Sequence, residues 1–186
     1  MNYRAVKLAE SAMISPTACL VGEVEIGENV TVLHGAAARG DYDGRVVVGA
    51  NSNLQEHVCI HVDRNGLCQV GEGVTVGHGA ILHGCTIGAG CVVGMGSTVL
   101  DGAEVGRSCL IGAGALVTGT ARIPDGMLVL GSPARATRAL TPEEIQRITE
   151  GAGEYLAIGR DMTAQGLLFS GREAVLAHCP QVALCE

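Results

Sequence analysis

Cys85–Thr120 reads CTIGAG CVVGMG STVLDG AEVGRS CLIGAG ALVTGT. Cut at every sixth residue, it sets Ile87, Val93, Val99, Val105, Ile111 and Val117 at one phase, and Ile123 and Val129 continue the series. Two residues earlier stand small side chains: Cys85, Cys91, Ser97, Ala103, Cys109 and Ala115. A unit with one aliphatic and one small inward residue, and glycine where the backbone turns, describes a short strand and a corner. Repetition at a fixed period marks a solenoid, in which each unit buries its apolar side against the next. Three units close one triangular coil, so the expected fold is all-β, a single-stranded parallel β-helix.

The same beat runs upstream through Leu20, Ile26, Val32 and Ala38, then Val48, Leu54 and Ile60. Two segments break it, RGDYDG at Arg39–Gly44 and VDRNGLCQ at Val62–Gln69, and both are expected to leave a corner as loops, where function often sits. Between Val76 and Ile87 the repeat skips one residue. Composition agrees with thin, regular layers: 28 glycines in 186 residues, aromatic content of 2%, one Phe and no Trp leave only a narrow core. After Gly131-Ser132-Pro133 the pattern changes. A β-helix domain is expected over 1–135 and a helical extension over 136–186. Thr141, Pro142 and Glu144 form an N-cap, a first-turn proline and the acidic half of a capping box. Ile145, Ile148, Ala152, Tyr155 and Leu156 then follow at helical spacing, weakened by Gly151 and Gly153. One more short helix is expected around Gly171 to His178.

A formal charge of -7 offers no electrostatic footprint for nucleic acid or an anionic membrane. There is no secretory-type apolar start and no apolar run of about 18 residues, so a soluble, cytoplasmic protein is expected. The eight cysteines include no CxxC pair and read as free thiols, most of them buried, in a reducing compartment.

His61 directly follows Ile60 and His83 directly follows Leu82, so the two occupy equivalent phases one coil apart. Neighbouring coils lie about 4.8 Å apart, close enough for two imidazoles to share an ion held at about 2.0–2.1 Å from each nitrogen. His78 lies on the preceding side, roughly 16 Å of strand away, and cannot join that pair within one chain. A neighbouring subunit can supply it across a three-fold axis. Each of three sites would then offer three neutral imidazoles and one open position, as in catalytic zinc centres. Imidazole accepts Zn2+, Fe2+ or Co2+ alike. His34, His57 and His178 have no such partners.

GVTVGHGAILHGCTIGAG at Gly73–Gly90, ARGD at Ala38–Asp41 and NLQEHVCIH at Asn53–His61 together resemble the gamma-class carbonic anhydrases, from about Pro16 to Tyr155. The resemblance implies a left-handed β-helix, a homotrimer and the ligands His61, His78 and His83, with His78 from the neighbouring chain. It implies an interface ion pair of Arg39 and Asp41, and Asn53 and Gln55 beside the metal, with Gln55 hydrogen-bonded to the water there. The implied activity is hydration of carbon dioxide to bicarbonate. Glu56 stands where relatives carry Asp, the Val62–Gln69 loop has Asp63 as its only carboxylate and no shuttle Glu, and Tyr155 aligns with a tyrosine placed near the site in shorter relatives. Cys59, Cys68 and Cys85 read as filler. The chain also resembles the phenylacetate-degradation and carnitine-associated members, through the same triad and GSPA at Gly131–Ala134. That leaves an acyl-CoA thioesterase open as the alternative, with a metal-free hexapeptide acyltransferase and a non-catalytic scaffold behind it.

Overall fold

The hexad phase becomes the inside of a coil. In a computed structural model describing residues 3, 5–171 and 173–174, Ile87, Val93, Val99, Val105, Ile111 and Val117 are all buried, as are the small residues two positions earlier. The described residues wind into a parallel β-solenoid of about 7 turns followed by a long helix. One face stacks Cys59–His61, Ile81–His83, Thr98–Val99 and Leu116–Val117 on the first part of the long strand Ala37–Val48. The next stacks Leu67–Val70, Thr86–Ile87, Glu104–Val105 and Arg122–Ile123 on the second part of that strand. The third runs from Met13–Ile14 through Asn53–Leu54 and Thr75–Val76 to Met127–Gly131. Its two ends are closed by antiparallel strands, Phe169–Ser170 on Met13–Ile14 and Ala134–Ala139 on Met127–Gly131. Ala134–Ala139 straddles the boundary expected between 1–135 and 136–186.

Coil lengths are uneven, and the departures fall at the histidines. Val93 pairs with Ile111, and Ile111 with Val129, three hexads on; Val32 pairs with Leu54 and Leu54 with Val76, each four residues longer; Val76 pairs with Val93, one residue shorter. The two long coils carry their extra residues at one corner. Pairing passes from Arg39–His61 to Arg45–Leu67, so the excursions have equal length and stack. Their backbones bond to each other, Arg45 N–H to the Gly66 carbonyl at 2.9 Å and Asn65 N–H to the Tyr42 carbonyl at 3.1 Å. Arg39–Gly44 is therefore part of a 12-residue strand and not the expected loop: Arg39 and Gly40 pair with Val21 and Gly22 on the coil below, Arg39 also pairs with His61 above, and the Tyr42 carbonyl accepts from Asn65 N–H. Within it Tyr42 and Asp43 take left-handed backbone angles, φ 51° and 62°.

Four cysteines (Cys68, Cys85, Cys91 and Cys109) are buried, whereas Cys19 and Cys59 are exposed. Cys59 was expected as filler; its place just before the inward Ile60 turns its side chain outward.

The helix α1 (Pro142–Ala164) starts at the expected capping box: Thr141 Oγ1 accepts from Glu144 N–H, and the Glu144 carboxylate accepts from Thr141 N–H. Its 23 residues reach about 34 Å. The seven layers of the third face span roughly 29 Å at about 4.8 Å each, so α1 can return along the whole stack. Ile145 lies near Gly126 in the last layer and Gly159 rests on Met13 and Thr31 in the first two. A Cβ on Gly159 would come 2.5 Å from Thr31 Oγ1, which is why the contact needs glycine. The short helix expected around Gly171 to His178 lies largely outside the described residues, as do His178, Cys179 and Cys185.

Candidate metal centre

Register makes the site. His61 and His83 are direct Cα partners on neighbouring coils, with Arg39 one coil below. Ile60 and Leu82, fully buried, fix each strand, so the following residue must project outward. The two imidazoles face each other with centroids 4.9 Å apart, and His61 Nδ1 lies 2.8 Å from His83 Nε2. Each outer ring nitrogen meets a carboxylate: His61 Nε2 lies 3.1 Å from Asp41 Oδ1, and His83 Nδ1 lies 2.6 Å from Asp101 Oδ2. Asp41 is buried and ties together His61 and the exposed Arg39, which pairs with it. Burial would raise the Asp41 carboxyl, but hydrogen bonds from His61 and Arg39, with the Arg39 charge, hold it below the usual carboxylate range. Beside this knot a cleft of about 360 Å³ is lined by Arg39, Asp41, Tyr42, His61, Val62, Asp63 and Arg64.

His78 lies elsewhere. It occupies the corner where the chain enters the face that His83 leaves. Its backbone N–H donates to Gln55 Oε1 at 3.2 Å, and Gln55 Nε2 donates to Asn53 Oδ1 at 3.3 Å. Asn53 Nδ2 in turn donates to Thr75 Oγ1 at 2.9 Å. Asn53 and Gln55 are both buried. Glu56 Oε2 sits 2.7 Å from His78 Nδ1, yet off the line of a hydrogen bond, which leaves this buried oxygen with unused acceptor capacity. Tyr155 on α1 packs with Met13, Leu33 and Leu168. Burial raises its phenol pKa, and the charges of the Glu56 and Glu154 carboxylates add to the rise.

The residues singled out in the sequence thus form two groups. His61, His83, Arg39 and Asp41 make one; His78, Asn53, Gln55 and Glu56 make the other, while Tyr155 packs apart on α1. Among the described residues of one chain, no group of three His, Cys, Asp or Glu side chains could hold a metal ion. The sequence reading missed Asp101, whose contact with His83 crosses a coil and carries no motif. His34 and His57 join neither group; the His57 ring lies against Gly35. No helix among the described residues is long and apolar enough to cross a membrane.

A hexad solenoid that stacks two outward imidazoles on neighbouring coils defines a hexapeptide-repeat protein. The profile described as "Bacterial transferase hexapeptide (six repeats)" matches residues 67–101 and 84–119. "Probable carbonic anhydrase" of Methanocaldococcus jannaschii is 43% identical over 155 residues, 83% of this chain and 97% of that one. "Gamma carbonic anhydrase 1, mitochondrial" of Arabidopsis thaliana is 38% identical over 84% of this chain, which spans only 58% of that protein's length. The crystal structure of a hexapeptide transferase family protein from Anaplasma phagocytophilum superposes with a TM-score of 0.80 at 35% identity, covering 84% of this chain and 92% of that one. The chain belongs to the gamma-class carbonic anhydrase-like family of hexapeptide-repeat proteins.

Proposed function

We propose that the protein is a homotrimer that binds a divalent metal, zinc foremost, at each of three subunit interfaces and hydrates carbon dioxide to bicarbonate there. The observation that carries this reading is the His61–His83 pair, with ring nitrogens 2.8 Å apart and each outer nitrogen beside a carboxylate. Ligands at about 2.05 Å around a tetrahedral ion stand about 3.3 Å apart, so a small opening of the pair admits the ion. Carboxylates behind ligating imidazoles fix the tautomer and raise basicity. With Asp41 behind His61 Nε2 and Asp101 behind His83 Nδ1, the lone pairs left over are on the two nitrogens that face each other.

A third ligand must come from outside the chain, and the same face carries it at the opposite edge. His78 of a neighbouring copy meets the pair if the copies associate through this face. Such a contact joins unlike edges, and repeated around a three-fold axis it closes a ring. Ile81 is 43% exposed on this face, and Cys59, Thr98 and Leu116 occupy equivalent outward positions, a mostly apolar column suited to burial between copies.

When bound, the ion supplies a water acidified to about 7, the value known for carbonic anhydrase itself, as nucleophile for carbon dioxide. The protein's own groups do the rest. Glu56 beside Nδ1 of His78 leaves that ring's Nε2 for the ion. Gln55 anchors the His78 backbone and keeps one amide hydrogen free to orient the nucleophile. Arg39, its side chain 50% exposed, offers a guanidinium toward an anionic product.

Metal analysis, native mass spectrometry and stopped-flow hydration test the reading, with acyl-CoA thioesters as a second substrate arm. We expect one metal per chain, a trimer, and loss of metal in His78→Ala with the solenoid intact. A monomer, or unchanged metal content in His78→Ala, overturns the shared site; thioester cleavage without hydration transfers the site to the thioesterase reading.

A further inference from the structure

The coil from Val76 to Val93 is one residue short, and the shortening falls where His83 turns the corner. Its consequence is visible at Gly84. A Cβ there would lie 2.2 Å from Asp101 Oδ1 and 3.0 Å from its Cγ, and the backbone is left-handed, φ +54°. Asp101, 18 residues after His83, belongs to the next coil. Its carboxylate lies over bare glycine backbone and reaches back to Nδ1 of His83 at 2.6 Å. Backbone bonds lock the arrangement from both sides: Gly84 N–H donates to the His61 carbonyl at 3.0 Å, and Gly102 N–H donates to the Gly84 carbonyl at 2.9 Å. A continuous row results, Asp41, His61, His83, Asp101, each side chain bonded to the next across successive coils.

We infer that Asp101 is a positioning residue for the metal centre: it sets the tautomer and plane of the His83 ring, and Gly84 exists to admit it. The inference rests on the metal reading above. Asp41 does the same for His61 but is itself committed to Arg39, whereas the Asp101 side chain, 48% exposed, has no cation partner among the described ion pairs except His83. Removal of a carboxylate behind a ligating imidazole typically lowers metal affinity 10–100-fold, about that much being expected here.

Zinc and cobalt dissociation constants by chelator competition, on the full-length protein, test it. Asp101→Ala should weaken both by about 10–100-fold, with the melting temperature of the metal-free form unchanged and the visible spectrum of the cobalt form shifted. Asp101→Asn, whose carbonyl oxygen can still accept from Nδ1, should recover part of the affinity. Gly84→Ala, which pushes the carboxylate aside, should reproduce the Asp101→Ala loss in cobalt affinity and spectrum. Glu104→Ala, at an exposed ion pair on the next face, should change neither. Wild-type affinity and spectrum in Asp101→Ala overturn the assignment while leaving the metal centre standing. Failure of the wild-type protein to take up zinc or cobalt overturns both.

Discussion

Gln55→Leu probes the His78 corner with a near-isosteric change. The Gln55 amide accepts from the His78 backbone N–H and donates to Asn53 Oδ1 in a buried setting. Leucine fills the space but leaves that N–H and that carbonyl oxygen without these partners. The buried Asn53 oxygen costs about 1–3 kcal/mol, the part-buried His78 N–H less, and added apolar burial returns about 1 kcal/mol, for a net loss of about 1–2 kcal/mol. Urea unfolding at fixed protein concentration reads it, since association contributes to the apparent stability of any oligomer. Gln69→Leu is the control: Gln69 is exposed on the neighbouring face, and its replacement should stay within about 0.5 kcal/mol. The Asn53, Gln55 and His78 chain is also the only side-chain tether on His78 besides Glu56 among the described contacts, so metal affinity should fall together with stability. Equal midpoints for the two leucine variants would refute the claim that this amide holds the corner.

Two glycines of α1 should respond in opposite directions. Nothing lies within 4 Å of a Cβ on Gly151, so Gly151→Ala should add about 0.5–1 kcal/mol of helix propensity and raise the melting temperature by a few degrees. Gly159→Ala should cost about 1–3 kcal/mol and lower the melting temperature, because the methyl meets Thr31 Oγ1 and Met13 Cε; differential scanning calorimetry separates the two. Glu144 sets a pH window. Hydrogen bonds from Arg138 and from the Thr141 backbone pull its carboxyl from 4.5 down to about 2. A carboxyl whose folded pKa is depressed stabilises above the unfolded value and stops doing so as pH falls through the folded one. Helical ellipticity should therefore decline between about pH 4.5 and 2, and Arg138→Ala should move the decline toward higher pH.

The coil was legible because Ile87 through Val129 repeat without a slip, and an inward residue every sixth position has one regular solution. The His61–His83 stacking followed by counting, since both follow an inward aliphatic, and the four-residue excursion between them adds a whole corner without changing phase. What could not be read was contact between coils. Asp101 looks like any corner residue of STVLDG, and it reaches His83 only because the coil beneath is short and Gly84 is bare. Glu56 reads as a departure from its relatives, yet its extra methylene still brings Oε2 to His78. Arg39–Gly44 looks like a loop because its polar composition conceals that it is held between paired stretches, Arg39 on His61 and Arg45 on Leu67, and bonded to an excursion of equal length 22 residues on.

Both ends of the third face are covered by short strands running the other way. A parallel stack with a bare final rung presents unpaired N–H and C=O groups on which another molecule could continue the 4.8 Å spacing, as fibrils do. Ala134–Ala139 ends that progression with reversed polarity and two arginines, Arg135 and Arg138, while Phe169–Ser170 shuts the opposite rim. Growth along the axis is thus barred at this face and left open sideways, so that under the proposed trimer copies would meet flank to flank, the direction in which the split imidazole sets would be completed.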